Sequence, residues 1–337
     1  MDTSRKLLQV RDLVSAFDTD DGQVTAVDRV SFEVEAGKTL GIVGESGCGK
    51  SVTAFSLMRL LPQPMGKILE GEILLNGEDI LKLPPKEMRK IRGETIGMIF
   101  QEPMSALNPV QRIGKQMSEV YELHRSKMSK KETWEASIEM LRKVGIPSPE
   151  LRIGDFPHKL SGGMRQRVVI AMALALKPKL VIADEPTTAL DVTIQAQILD
   201  LMKSLQAEMG MGLIMITHDL GVIAETCDDV VVMYAGRVAE KGSVEQIFHH
   251  PQHLYTKGLL NSIPRLDHPA KTPLSTIPGL VPSLSQMPVG ARFAPRSSHP
   301  EVKEYLASEA FRSKRPELVE VEPGHWVEDE KVVRNFE

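Results

Sequence analysis

Residues 44–51, with the sequence Gly-Glu-Ser-Gly-Cys-Gly-Lys-Ser, are the stretch whose composition and spacing most clearly predict a chemical role. They follow a short apolar run, 40–43, and precede a predicted helix, 52–61, that Pro62 ends. A strand, a glycine-rich turn and a helix opening with Lys-Ser form the arrangement that wraps a nucleotide triphosphate. The glycines let backbone N–H groups point at phosphate oxygens, and the helix N-terminus adds its positive end. We therefore expect Lys50 to reach the β and γ phosphates and the Ser51 hydroxyl to ligate Mg²⁺.

Four polar residues at the ends of predicted strands are candidates for the rest of the chemistry. Asp184 and Glu185 end the apolar strand 180–184, where one carboxylate would lie beside Mg²⁺ and the other would polarise the attacking water. Gln101 ends the strand 96–100, and its amide oxygen could ligate Mg²⁺ or water. His218 follows the strand 213–217 and could hydrogen-bond the γ-phosphate and hold Glu185 in place. Taken alone, Gln101 and His218 are more readily ordinary strand-end polar residues.

A second glycine motif, Leu160-Ser161-Gly162-Gly163-Met164, opens a helix predicted over 164–176. It offers another anion-binding helix start. A single chain has no evident use for two phosphate-binding helix N-termini at one nucleotide. Two chains that face each other do have a use for them. Each Ser-Gly-Gly loop would then close over the ATP that the other chain holds.

Strands and helices alternate around the phosphate loop, which predicts an α/β core with a largely parallel sheet and helices on both faces. Upstream strands and the Asn76-Gly77 turn predict an antiparallel β subdomain. Residues of about 103–178 are helical in pattern and predict an inserted helical subdomain. Its capping box at Ser129 opens an amphipathic helix with Trp134 in the core. Phe17 is either an adenine-stacking aromatic or a strand-end core residue.

The residue composition changes after Gly242, so we predict one domain over 1–243 and a C-terminal extension over 244–337. Eight prolines between residues 264 and 300 predict a segment extended over the surface, or a linker. A short helix near 244–248, a helix over 305–311 and a strand-like piece over 317–321 are expected. The final dozen residues are charged and are predicted to be loosely held.

Composition excludes several other classes of protein. The net charge of −4 gives no support for a nucleic-acid partner. Two distant cysteines, Cys48 and Cys227, exclude a disulfide framework and suit a reducing compartment. No apolar run approaches the roughly 18 residues that span a bilayer, and the N-terminus lacks a signal-peptide core.

The thiol of Cys48 lies near a helix N-terminus, where its pKa can fall. The alternative is a small residue that the loop tolerates.

Together these motifs resemble those of the nucleotide-binding subunits of ATP-binding cassette (ABC) transporters, over about residues 7–243. Residues 44–51 resemble the Walker A loop, 180–184 the Walker B strand, Glu185 the catalytic acid, Gln101 the Q-loop, 160–164 the signature, 189–191 the D-loop and His218 the switch histidine. The resemblance also supports adenine stacking by Phe17. It implies Glu185, His218 and Lys50 as catalytic residues and Ser51, Gln101 and Asp184 as Mg²⁺ ligands. The residues it implies for nucleotide binding are Phe17, Gly44, Glu45, Ser46, Gly47, Cys48, Gly49, Lys50, Ser51, Val52, Gln101, Ser161, Gly162, Gly163 and Asp191.

The chain is more closely similar to the ATPase subunits of bacterial dipeptide and oligopeptide importers. That likeness includes residues 100–109, the run 250–260, Pro278-Gly279, residues 293–296 and residues 322–325. Relatives often carry four cysteines in the extension for an iron–sulfur cluster. Ala291, Ser297, Phe311 and Asp329 stand at the matching positions here, so we predict no cluster.

The resemblance implies two transmembrane permease subunits, a second cassette chain and, indirectly, an external substrate-binding protein as partners. A heterodimer is expected, and a homodimer is compatible because both half-sites are intact. The resemblance also implies that the chain is a peripheral subunit at the cytoplasmic face of the inner membrane. Importers of nickel, glutathione or cell-wall peptides remain alternatives. A soluble cassette ATPase, an exporter ATPase and an unrelated phosphate-loop kinase fit less well.

Overall fold

The computed structural model describes residues 6–101, 106–188, 190–264 and 275–334. Its strands are β1 (Lys6–Thr19), β2 (Gly22–Glu35), β3 (Thr39–Val43), β4 (Gly66–Leu75), β5 (Glu78–Asp79), β6 (Ile96–Ile99), β7 (Leu180–Asp184), β8 (Gly212–Ile216), β9 (Asp229–Tyr234), β10 (Arg237–Ser243), β11 (Leu318–Glu322) and β12 (His325–Glu328). Its helices are α1 (Lys50–Leu57), α2 (Pro85–Glu94), α3 (Ile113–His124), α4 (Lys130–Lys143), α5 (Pro149–Arg152), α6 (Gly162–Leu174), α7 (Val192–Met209), α8 (Leu220–Thr226), α9 (Val244–His249), α10 (Leu254–Asn261), α11 (Val302–Ala307) and α12 (Glu309–Ser313). The chain divides into two compact units.

Of the described residues, the first unit contains 6–7, 34–39 and those between 75 and 216. Its strands β6, β7 and β8 pair in parallel, with Ile96 opposite Leu180 and Asp184 opposite Ile216. Every residue of these strands is buried, which is why they form continuous apolar runs in the sequence. The helices α2 to α7 belong to this unit.

The second unit contains residues 8–33, 40–74 and 217–337. Here β3 pairs in parallel with β9, and β9, β10, β12 and β11 continue as an antiparallel ladder in that order. Strands β2, β1 and β4 lie side by side in another sheet. The fold class predicted from the sequence is confirmed: an α/β core is combined with antiparallel strands.

Local signals in the sequence were accurate in the first unit, with one error. Asn76 and Gly77 both have positive φ, +50° and +85°, as a type I′ turn requires. The Ser129 capping box is present, with Glu132 as its partner. The prediction that Trp134 is a core residue is wrong, because its side chain is 40% exposed. A large aromatic residue can fit the apolar stripe of a helix and still lie at its edge.

The prediction of a loosely held chain end is also wrong for residues 326–334, the described part of the final dozen, where Val327, Glu328, Val332 and Val333 are buried; residues 335–337 lie outside the described residues. β12 joins the sheet beside β10, and within it His325 is fully buried. The imidazole Nε2 of His325 lies 2.7 Å from the carboxylate of Glu240, which is itself buried. The same carboxylate accepts hydrogen bonds from the backbone N–H groups of Gln252 and His253. Glu240 and His325 therefore belong to one buried hydrogen-bonded network beside β12.

Part of the proline-rich stretch is likewise packed rather than extended over the surface. Residues 291–294 and Arg296 are buried. Two arginines there, Arg292 and Arg296, donate to acidic side chains of the second unit, Asp28 and Glu45 respectively. Residues 265–274, within the same predicted segment, lie outside the described residues. Among the described helices, none is long and apolar enough to cross a bilayer.

Candidate nucleotide site

The phosphate loop takes the backbone conformation that its glycines predict. It leaves the fully buried strand β3, and Gly44, Gly47 and Gly49 have φ values of +150°, +78° and +102°. A Cβ on Gly44 would lie 2.1 Å from the carbonyl oxygen of Met233, so no other residue fits at this position. Helix α1 begins at Lys50, and in the described part of the chain no side chain caps its first turn. The N–H groups of that turn are thus the donors an anion would meet.

Lys50 and its neighbours lie where the sequence places them. Lys50 is buried, and its Nζ donates to the carbonyl oxygens of Gly44, at 2.7 Å, and Glu45, at 3.1 Å. These two bonds fold the ammonium group back over the loop, where a phosphate chain would run. Ser51 and Val52 follow in the first turn of α1, and both are half-buried.

Cys48 is buried beneath the loop, and this corrects the expectation of a lowered thiol pKa. Burial raises the pKa of the thiol, and the nearby Lys50 ammonium offsets that effect only in part. The Cys48 carbonyl accepts a hydrogen bond of 2.9 Å from Gly236 N–H. The residue therefore acts as a small buried side chain, in line with the alternative interpretation of the sequence.

His218 lies beside the phosphate loop in the second unit. Its side chain is exposed and lines a cleft of about 170 Å³. The other residues of this cleft are Val43, Gly44, Glu45, Leu220 and Leu259. The structure therefore brings together His218 and the loop, as expected. Leu259 belongs to α10 of the C-terminal extension, and no pattern in the sequence predicts that it lines this cleft.

Phe17 lies near the end of β1 and is half-buried. Its ring carbon Cε1 would be 3.1 Å from a Cβ on Gly66, so the ring packs closely over that glycine. This contact gives Phe17 a structural role, and adenine stacking stays a prediction.

At the end of β7 the first unit places a predicted Mg²⁺ ligand, Asp184, next to a predicted catalytic residue, Glu185. Asp184 is buried, and Glu185 follows with a φ of +46°, which costs a non-glycine residue about 1–2 kcal/mol. The N–H group of Glu185 donates to Ile216 O at 2.8 Å. Its Oε2 accepts hydrogen bonds from Gln101 Nε2, at 3.0 Å, and from Thr188 Oγ1, at 2.8 Å. Both donors hold the carboxylate, and the sequence analysis did not predict one of them, Thr188.

The second glycine motif and the predicted D-loop aspartate are helix starts in the structure. Ser161 Oγ accepts from Met164 N–H at 3.3 Å and caps α6, and Asp191 Oδ1 accepts from Ile194 N–H at 3.0 Å and caps α7. A Cβ on Gly163 would lie 2.7 Å from Cγ2 of Ile194. The contact of α6 with α7 therefore explains this glycine without a nucleotide. Gly162 is exposed at the start of α6, while Ala189 and residues 102–105 lie outside the described residues.

The residues present fit ATP and Mg²⁺ by their chemistry. The expected Mg²⁺ ligands are a hydroxyl, a carboxylate and an amide oxygen, from Ser51, Asp184 and Gln101, and such hard oxygen donors suit this ion. In the described residues no group of three or more His, Cys, Asp and Glu side chains could hold a metal by itself. A site that combines few protein oxygens with substrate phosphates is the usual one for Mg²⁺.

Comparison with known proteins agrees with this geometry. The family model for ABC transporters matches residues 27–188, and that for the C-terminal region of oligopeptide/dipeptide transporters matches residues 239–301. The oligopeptide transport ATP-binding protein OppD of Bacillus subtilis is 54% identical over 294 residues, 87% of this chain and 82% of that protein. A probable peptide ABC transporter ATP-binding protein of Sinorhizobium fredii is 50% identical over 319 residues, 95% of this chain and 93% of that protein.

Solved structures point the same way. A dimeric ATP-binding cassette in a post-hydrolysis state, bound to ADP and Pi, superposes with a TM-score of 0.63 at 27% identity. The match covers 70% of this chain and 98% of that one. The chain therefore belongs to the ATP-binding proteins of ABC transporters, in the group that carries the oligopeptide/dipeptide-type C-terminal region.

Proposed function

We propose that this chain hydrolyses ATP to power import of peptides through a membrane permease. The relatives named for oligopeptide and peptide transport, and the match of residues 239–301 to the oligopeptide/dipeptide transporter region, support the substrate class. The observation that carries the hydrolytic part is the anchored carboxylate of Glu185 at the end of a buried parallel strand.

Each group has a distinct task in this proposal. The N–H groups of the phosphate loop and the ammonium of Lys50 bind the phosphates, and bound Mg²⁺ supplies charge neutralisation of the phosphate oxygens. Glu185 accepts a proton from the attacking water. Gln101 and Thr188 both donate to its Oε2 and so fix the orientation of the carboxylate. His218, exposed beside the loop, binds the γ-phosphate.

We infer further that two cassettes act together, with the Ser161–Gly163 loop of each completing the ATP site of the other. A related but distinct second chain is the expected partner. Contact with the permease is assigned to the helical part of the first unit, where the large side chains of Val110, Leu123 and Trp134 are exposed. Through that permease the chain would lie at the cytoplasmic face of the membrane, and a binding protein outside would deliver the peptide.

The first test is the variant Glu185→Gln in the full chain. It should bind ATP with unchanged affinity and hydrolyse it about 10²–10⁴-fold more slowly, since proton acceptance is lost while the shape is kept. Glu225→Gln, at an exposed acid, is the matched control and should hydrolyse ATP like the wild type. Substantial hydrolysis by Glu185→Gln would refute the role given to this residue. Lys50→Ala should weaken ATP binding itself, and unchanged affinity there would refute its assignment.

The transport part is tested by purifying the tagged chain from gently solubilised native membranes and identifying its companions by mass spectrometry. Two multi-span permeases and a second cassette chain are expected. Recovery with soluble proteins or nucleic acid alone would overturn the importer proposal and leave a soluble cassette ATPase.

A further inference from the structure

The carboxylate of Glu45, the second residue of the phosphate loop, is bound by an arginine of the C-terminal extension. Arg296 donates from both terminal nitrogens, with N–O distances of 2.6 Å and 3.1 Å to the two carboxylate oxygens. The Arg296 side chain is only 4% exposed and that of Glu45 is 31% exposed. A forked, charge-assisted pair that is this well shielded is stronger and more directional than a surface ion pair.

A second residue of the extension fixes the backbone of the same loop residue. The N–H group of Glu45 donates to the hydroxyl oxygen of Tyr255 at 2.8 Å. Tyr255 is fully buried, and burial raises the pKa of its hydroxyl, so the group stays neutral. Side chain and main chain of Glu45 are thus both held from α10 and from the segment around residue 296.

The arginine is itself held in place before any ligand arrives. Its Nε donates to Pro278 O at 2.8 Å, and its guanidinium lies 5.6 Å from the ring centre of Tyr234 and 5.9 Å from that of Phe293. Tyr255 packs against both rings, with centroid distances of 4.7 Å and 5.4 Å. An aromatic cluster therefore fixes the guanidinium in the orientation that meets Glu45.

The position of Glu45 matters for phosphate binding in two ways. Its negative charge within the loop would repel a phosphate chain unless a cation neutralises it. Its carbonyl oxygen also accepts a hydrogen bond from Lys50 Nζ at 3.1 Å, so the peptide orientation at residue 45 helps to set the place of the ammonium. The extension acts on both effects, because Arg296 pairs with the Glu45 carboxylate and Tyr255 accepts a hydrogen bond from the N–H group of the same residue.

We propose that Arg296 and Tyr255 are positioning residues of the nucleotide site, which hold and neutralise Glu45 and thereby raise the affinity for MgATP. This inference rests on the proposed role of residues 44–51 in phosphate binding. It makes the C-terminal extension part of the nucleotide site rather than an appendage to it.

The test measures binding of MgATP to the full chain by calorimetry at 10 °C, together with KM and kcat for hydrolysis. Arg296→Met should raise the dissociation constant and KM about tenfold, with kcat changed less than threefold. Tyr255→Phe should raise both about threefold, because one acceptor for a backbone N–H is lost. Arg296→Lys, which keeps the charge without the fork, should fall between wild type and Arg296→Met. Arg312→Met, at an exposed arginine of the same extension, is the control and should bind like wild type.

Glu45→Gln separates this mechanism from general loss of stability. Added to Arg296→Met, it should cause no further loss of affinity, because the repelling charge is removed along with its partner. If the losses from the two substitutions multiply, or if Arg296→Met and Tyr255→Phe lower only the melting temperature while affinity and KM stay at wild-type values, the proposal is wrong. Failure of the underlying function is a distinct result: wild type and Lys50→Ala would then bind ATP equally poorly.

Discussion

Gly163 offers a test of whether a motif glycine is kept for packing or for nucleotide contact. An added Cβ would lie 2.7 Å from Cγ2 of Ile194, whereas ordinary contact begins at 3.4 Å. The clashing methyl group is attached directly to a β-branched carbon, so it cannot swing away, and α6 must shift from α7. Overpacking of this kind costs about 1–3 kcal/mol, and the gain from replacing glycine in a helix returns about 0.5–1 kcal/mol. We therefore expect Gly163→Ala to lower the free energy of unfolding by about 1–2 kcal/mol.

The double variant Gly163→Ala/Ile194→Ala removes the methyl group that the new Cβ would meet. Urea unfolding of the four proteins in the cycle should give a favourable coupling energy of about 1–2 kcal/mol between the two sites. Hydrolysis by the double variant should then return to within about threefold of Ile194→Ala alone. Additive losses of stability would refute the steric argument. Recovery of stability without recovery of hydrolysis would show that the nucleotide, and not the helix contact, requires glycine.

Two further predictions concern buried titrating groups. Burial lowers the pKa of His253 to about 4, so protonation of the unfolded chain destabilises the fold by up to about 3 kcal/mol as pH falls from 6.5 to 4. Burial raises the pKa of Glu328 to about 7, so the fold loses a similar amount as pH rises from 4.5 to 7. The two effects oppose each other, so each variant should show the effect of the group that remains. In urea unfolding, the free energy of unfolding of Glu328→Gln should be higher at pH 7 than at pH 5, and that of His253→Asn should be higher at pH 5. A change with pH in the same direction in both variants would contradict this. The thiol of Cys48 is buried and its pKa is raised, so it should react slowly with iodoacetamide in the folded protein. In the variant Cys227→Ser, which leaves Cys48 as the single cysteine, modification should be at least about tenfold slower in the folded protein than in urea. Equal rates would show that the loop opens freely.

Much of the candidate site around Glu185 could be predicted because its parts are local. Strand β7 has the bounds that the apolar run 180–184 predicts, and parallel pairing with β6 brings the ends of both strands to one edge. The contact of Gln101 with Glu185 follows from that pairing. The positive φ values of the loop glycines follow from their spacing in the same direct way.

What could not be predicted depends on contacts between distant parts of the chain. Neither the prolines nor the charges of the extension indicate that Arg296 meets Glu45 or that His325 meets Glu240. A buried arginine and an exposed one have the same signature in a sequence, and only the fold determines which is which. Thr188 was missed for a similar reason, since a threonine three residues after an acid is common and carries no signal of its own.

The pairs formed by the extension also bear on how the protein is made. Arg296 and Arg292 stand 251 and 264 residues after their partners Glu45 and Asp28. At synthesis rates of about 5–20 residues per second, each carboxylate leaves the ribosome on the order of 10–50 s before its arginine. During that interval the nascent phosphate loop lacks the contact that neutralises Glu45, and the sheet edge that receives β12 stays open. The second unit can therefore reach its final form only when nearly the whole chain has been translated, which makes the waiting nascent chain a natural client for a chaperone.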